Sequence, residues 1–153
     1  MFINRLCKAL NKAKIKYAIV GGWALVLHKI PRATFDIDMV IQLNEKSFLT
    51  VEKTFLALGL ISRIPIEATQ LFKYREEYIE NKNLIAWSFY NPINPSEMVD
   101  VIITENFKNI KTEVKKLSDV NIPVISVKDL IVMKEKSNRP QDAEDIKWLK
   151  KLI

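Results

Sequence analysis

Gly21-Gly22-Trp23-Ala24-Leu25-Val26-Leu27-His28-Lys29-Ile30-Pro31-Arg32-Ala33-Thr34-Phe35-Asp36-Ile37-Asp38 joins a glycine pair to an Asp-x-Asp pair, with thirteen residues between them. The apolar run Tyr17-Ala18-Ile19-Val20 leads into the glycines and reads as a strand over 16–20. Residues 22–30 read as a buried helix that Pro31 ends. Residues 35–43 alternate and read as a second strand. A Gly-Gly turn that opens a helix offers free backbone N–H groups and a positive dipole end to an anion. Asp36 and Asp38, two apart on a strand, point to one side. Together these are a phosphate cradle and a divalent-cation site, the two parts that phosphoryl or nucleotidyl transfer requires. The alternative reading of the aspartates is a solvated acidic face.

Further along, Met98 to Thr104 reads as a strand with Val99, Val101 and Ile103 on one face. Asp100 lies on the other face between Met98 and Ile102. A charge between apolar neighbours needs a partner. Asp100 is either a third metal ligand and general base or a sheet-edge carboxylate paired with a lysine; Glu97 is the fallback base. Val127, Leu130, Ile131 and Lys134 fall on one helix face, which turns Lys134 inward. In the next helix Asp142, Asp145, Ile146 and Leu149 do the same. An inward lysine facing an inward aspartate is a structural salt bridge or a phosphate contact.

The first stretch resembles the signature of the minimal nucleotidyltransferases of the DNA polymerase β superfamily, and most of all their AbiEii-like toxin–antitoxin branch. Those chains read glycine-glycine or glycine-serine, a helix, then a Thr-x-Asp-x-Asp strand. Gly21, Gly22, Thr34, Asp36 and Asp38 stand in those positions, and His28 and Arg32 fit the branch's pattern. The residue after Gly21 is Gly22 and not serine, which moves the phosphate contact to the backbone. The resemblance implies an α+β nucleotidyltransferase fold: a small mixed sheet with helices on one face and a C-terminal helix pair. It implies Mg2+, two ions, with Mn2+ as the substitute, held by Asp36, Asp38 and Asp100. Gly21, Gly22, Thr34 and Lys134 would bind the nucleotide; Arg32, at the entry to the Asp-x-Asp strand, contacts a phosphate or makes a local hydrogen bond. An Arg-Pro-x-Asp stretch like Arg139-Pro140-Gln141-Asp142 follows the lysine in that branch. Lys134 would then touch phosphate and Asp142 would orient it, which adds both to the catalytic set with the three carboxylates. The implied reaction moves a nucleoside monophosphate from a nucleoside triphosphate to an acceptor hydroxyl on RNA, protein or a small molecule. A cognate toxin or antitoxin, or a second copy of the chain, is the implied partner. The rival is a non-catalytic nucleotide- or partner-binding antitoxin with the same fold.

The rest of the chain agrees with this picture without adding to it. Its 153 residues suit one domain over 1–153, and 48% apolar content supports a core. A net charge of +6 and a pI near 9.4 suit a polyanionic ligand, or simply solubility. Cys7 is the only cysteine, so neither a disulfide framework nor a cysteine zinc site is expected. No apolar run is long enough for a membrane span, and the start has no signal-peptide core, so a cytoplasmic location is expected. A helix is expected over about residues 1–14, and Asn44 should cap another that Gly59 ends. Glu67 to Asn83 reads as helix or edge strand. Leu84 to Tyr90 should pair with the Asp100 strand as a hairpin across Asn91-Pro92-Ile93-Asn94-Pro95-Ser96. Asn106 to Leu117 reads as a helix with a basic face of Lys108, Lys111, Lys115 and Lys116. Val120 to Ile125, which contains Pro123, reads as an edge strand. Ser126 should cap a helix, Pro140 should open the last one, and Trp23, Trp87 and Trp148 read as core anchors.

Overall fold

The computed structural model describes all residues, 1–153. In chain order the elements are α1 (Phe2–Lys12), β1 (Tyr17–Val20), α2 (Gly21–Leu27), β2 (Ile37–Ile41), α3 (Glu45–Ala57), β3 (Ile61–Ser62), α4 (Ala68–Lys73), α5 (Arg75–Lys82), β4 (Ala86–Tyr90), β5 (Met98–Ile102), a 3-10 turn (Phe107–Asn109), β6 (Thr112–Leu117), β7 (Val120–Ile125), α6 (Val127–Ser137) and α7 (Pro140–Lys150). The strands form one seven-stranded mixed sheet, ordered β3-β4-β5-β2-β1-β7-β6. β1 runs antiparallel to β2, and β2 runs parallel to β5. β4 and β5 are the expected hairpin, in register from Ala86↔Ile102 to Tyr90↔Met98.

Register decides which side chains share a face. Ile37, Met39, Val99, Val101, Trp87 and Phe89 lie on one face, and all are buried. α3 covers them: Phe48 stacks on Trp87 at 5.6 Å, and Phe55 meets Phe89 edge-on at 4.9 Å. α1 lies on the same side, where the Tyr17 hydroxyl donates to Asn11 and the Cys7 carbonyl. The opposite face of β4, β5 and β2 carries Ser88, Tyr90, Met98, Asp100 and Asp38, all only partly buried. Half of the sheet thus has one dry face and one open face, and the open one holds the carboxylates.

Local signals close the helices as expected. The Asn44 side chain accepts from Ser47 N–H, and Ser126 accepts from Asp129 N–H. Gly59 sits at φ +83, just past α3. α2 is shorter than its apolar pattern suggests. Lys29 adopts φ +69 and the Ile30 N–H reaches back to the Leu25 carbonyl at 2.9 Å, so a left-handed turn ends the helix before Pro31 does. Of the two readings of Glu67 to Asn83, the helical one holds: the segment forms α4 and α5, which meet at Tyr74.

Three expectations are corrected. Asn106 to Leu117 is no helix: it is the 3-10 turn followed by β6, so its lysines form no helical face. β6, not β7, is the sheet edge; β7 lies between β1 and β6. β7 registers with β1 at Ile19↔Val124, and Pro123 pairs with Val114 of β6. Trp148 is 42% exposed beneath Lys151 and anchors no core, whereas Trp87 is fully buried.

Candidate active site

Asp38 and Asp100 are direct register neighbours on the parallel strands β2 and β5. Adjacent strands lie ~4.8 Å apart, so two carboxylates at paired positions on one face confront each other. Asp36 stands one residue before β2 and two before Asp38. The consequence is electrostatic. Burial, then the charge of Asp100, then that of Asp36, push the Asp38 carboxyl up to about 7. Burial and Asp100 raise Asp36 as well. Two arginines act against this pressure: Arg139 beside Asp38 and Arg63 beside Asp36 both favour the ionised form.

The glycines explain how the chain comes so close to these acids. Gly21 has φ +66, and a Cβ there would overlap the Asp38 carboxylate. No other residue satisfies both the left-handed backbone and the contact. At Gly22 a Cβ would collide with the Thr34 hydroxyl. The hydroxyl that residue 22 lacks is therefore brought to the same place by Thr34, whose Oγ1 also lies 3.4 Å from the Asp36 carbonyl.

The donor set of Asp36, Asp38 and Asp100 is all-oxygen and carboxylate, which fits Mg2+ in chemistry. In this arrangement no three His, Cys, Asp or Glu side chains converge as an ion-binding group. The three carboxylates share a face and repel one another without closing a cage. Glu97 is elsewhere: Asn91 Nδ2 donates to it and Arg5 pairs with it at 2.7 Å, which together lower its pKa.

Lys134 and Asp142 belong to a second charged cluster. Lys134 Nζ lies 2.9 Å from Asp145 and 3.5 Å from Asp142, and all three residues are buried. Burial would raise Asp142, but the Ser137 hydroxyl, the Arg139 backbone N–H and the Arg139 guanidinium outweigh it and hold the carboxyl at about 2. Arg32 pairs with Asp145, so its guanidinium is engaged by α7. This cluster ties the loop before β2 to the last two helices. His28 is buried at the C-cap of α2, with Nε2 2.8 Å from the Ile125 carbonyl.

Sequence reading missed three participants. Asp145 was visible as an inward residue of α7, but its two cationic partners come from α6 and from a loop more than a hundred residues away. Arg139 was visible only as part of a stretch. Arg63 carries no local signal at all, since its place depends on β3 pairing with β4.

The fold recurs in solved structures of low sequence identity. The lincosamide antibiotic adenylyltransferase LnuA, solved with lincomycin bound, is 15% identical; the match covers 99% of this chain and 96% of that one, with a TM-score of 0.66. An antigenic nucleotidyltransferase-like protein from Paracoccidioides brasiliensis is also 15% identical, over 98% of this chain and 74% of that one, at 0.62. ANT(2")-Ia in complex with adenylyl-2"-tobramycin is 13% identical over 96% and 84%, at 0.60. A search of the curated proteins found no match. A family profile described as nucleotidyltransferase of unknown function (DUF6036) matches residues 2–151, and the chain belongs to that family.

Proposed function

We propose that the chain is a metal-dependent enzyme that transfers a nucleoside monophosphate from a nucleoside triphosphate to an acceptor hydroxyl. The observation that carries this reading is the Asp38–Asp100 pair, set on an open sheet face against Gly21 with Asp36 one step away. Three carboxylates held this close repel one another unless a cation joins them. Asp36 and Asp38 would hold Mg2+, with Asp100 as the third ligand; when bound, Mg2+ or Mn2+ supplies charge neutralisation at the phosphates. Gly21 and Gly22 let phosphate oxygens approach backbone N–H groups, and Thr34 adds a hydroxyl beside them. Asp100 takes the proton of the acceptor hydroxyl as its oxygen bonds to the α-phosphorus and pyrophosphate leaves.

Lys134 reads best as a positioning residue. Its ammonium holds Asp142 and Asp145, and Asp145 holds Arg32 at the approach to Thr34, so the cluster sets the loop that leads to the carboxylates. The DxD stretch and the Arg139-Pro140-Gln141-Asp142 run also support placing the chain in the AbiEii-like branch, as one unit of a bacterial two-gene toxin–antitoxin or abortive-infection module acting in the cytoplasm. No helix is long and apolar enough to cross a membrane.

Titration calorimetry with each nucleoside triphosphate, with and without magnesium, tests the reading. Wild-type protein should bind one of them in a magnesium-dependent way. The Asp36→Ala/Asp38→Ala protein should lose more than the ~10–100-fold that removal of an outer-shell partner costs a metal site. Equal binding by both proteins would remove the catalytic reading and leave a non-catalytic binding module.

A further inference from the structure

We propose that the sheet face beyond Asp100, formed by Ser88, Tyr90, Met98 and Arg63, is the acceptor subsite, and that it takes a nucleotide whose ring lies on Tyr90 and whose phosphate meets Arg63. The inference rests on the nucleotidyl-transfer reading above and extends it to the second substrate.

The register lays these groups out in two rows across the open face. In the first, the Arg63 N–H donates to the Ser88 carbonyl at 2.9 Å, Ser88 pairs with Asp100, Asp100 with Asp38, and Asp38 with Val20. In the second, Tyr90 pairs with Met98, and Asp36 is level with Met98 by extension of the Ile37↔Val99 pair. Gly21 approaches Asp38 from the β1 side, so the triphosphate lies on that side of the carboxylates. Attacking and leaving oxygens stand roughly in line at phosphorus. The acceptor hydroxyl therefore arrives from the other side, over β5 and β4. There its oxygen bonds to the α-phosphorus, the bond to pyrophosphate breaks, and the proton passes to Asp100.

The chemistry of that side selects the acceptor. Arg63 is exposed, and its guanidinium carbon lies 5.1 Å from the centre of the Tyr90 ring. Its Nη2 touches only the Met98 sulfur, at 2.7 Å, and it joins none of the chain's ion pairs. A thioether is a weak acceptor, and Asp36 feels the Arg63 charge without forming an ion pair with it, so most of the guanidinium's donors remain for another partner. A half-buried aromatic ring, a thioether and a free guanidinium beside a general base suit a flat ring with an adjacent anion. A polycationic acceptor would meet like charge there.

The test uses two probes, AMP and a short single-stranded RNA with a free 3′-hydroxyl and a fluorophore at its 5′ end. Both are titrated with magnesium present and the donor site filled by the α,β-methylene analogue of whichever triphosphate binds. Arg63→Glu and Tyr90→Ala should each weaken a probe about tenfold, the scale of one lost charge-assisted or stacking contact. Tyr90→Phe should retain binding, and triphosphate affinity should stay unchanged in both tyrosine variants. A loss seen with AMP alone identifies a free nucleotide as acceptor; a loss seen with RNA identifies a strand end. The proposal is overturned if neither probe distinguishes Arg63→Glu from wild type, or if Tyr90→Ala loses triphosphate to the same degree as it loses the probe. A wild-type protein that binds no triphosphate removes the parent reading instead, a result the triphosphate titration reads separately. Arg63 is exposed, so its variant tests the idea even if Tyr90→Ala folds poorly.

Discussion

The molecule holds two clusters of charge that obey the same electrostatics with opposite outcomes. Around Lys134, each buried charge has an opposite partner: Lys134 meets Asp142 and Asp145, and Arg32 meets Asp145. Asp142 sits at about 2, below its ordinary 3.8. On the open face, burial and the mutual repulsion of Asp36, Asp38 and Asp100 outweigh the nearby Arg139 and Arg63, and Asp38 sits at about 7. The first cluster is charge-paired as folded. The second is strained by its own composition even with Arg139 and Arg63 acting on it, the state that the proposed cation site would relieve.

The sharpest way to break this contrast is Lys134→Ala. With the ammonium gone, two buried carboxylates lose a partner, and the expected cost is ~3–5 kcal/mol. A chain of this size should then melt lower by ~2–4 °C for each kcal/mol. Differential scanning calorimetry gives the answer, with triphosphate affinity measured on the same variant. A variant that melts like wild type yet no longer binds triphosphate would make Lys134 a phosphate ligand and dissolve the distinction.

Stability against pH separates the clusters on one curve. Asp38 has its folded pKa raised from 3.8 to about 7. Its contribution is complete below about pH 3.8 and is lost as pH rises through about 7. Asp142 has its folded pKa lowered to about 2, so its contribution is present above about pH 3.8 and is lost as pH falls toward 2. Thermal melts of metal-free protein should therefore show an acid limb that belongs to Asp142 and a neutral limb that belongs to Asp38. Asp38→Asn should flatten the neutral limb and raise the melting temperature at pH 8 by a few degrees. An unchanged neutral limb in that variant would mean that the carboxylates do not strain one another.

The smallest expected effect calibrates the others. Arg5 and Glu97 form an ion pair at 2.7 Å whose arginine is half exposed. Arg5→Ala should cost ~0.2–1 kcal/mol by chemical denaturation. A cost near that of Lys134→Ala would show that burial is not what sets the two apart.

Much of the fold was legible because local chemistry and periodicity agreed. Asn44 and Ser126 cap helices, the alternation of β4 and β5 makes a hairpin, and the spacing of Asp36 and Asp38 sets both on one side of β2. Thr112 to Leu117 was not legible. It is almost all polar or exposed, so it shows no apolar period of two, and its strand state comes from hydrogen bonds to β7. The basic helix expected there was a pattern of lysines with no burial to orient it.

The sequence by itself determined the carboxylate pair, the glycines that must lie against it and the inward lysine and aspartates, because each follows from spacing along a single element. Tertiary structure alone decided that Asp100 stands opposite Asp38, that Asp145 joins Lys134 to Arg32, and that Arg63 overlooks the open face. Those placements depend on strand order and helix docking, in which residues distant in the chain become neighbours through pairing and burial that no local pattern encodes.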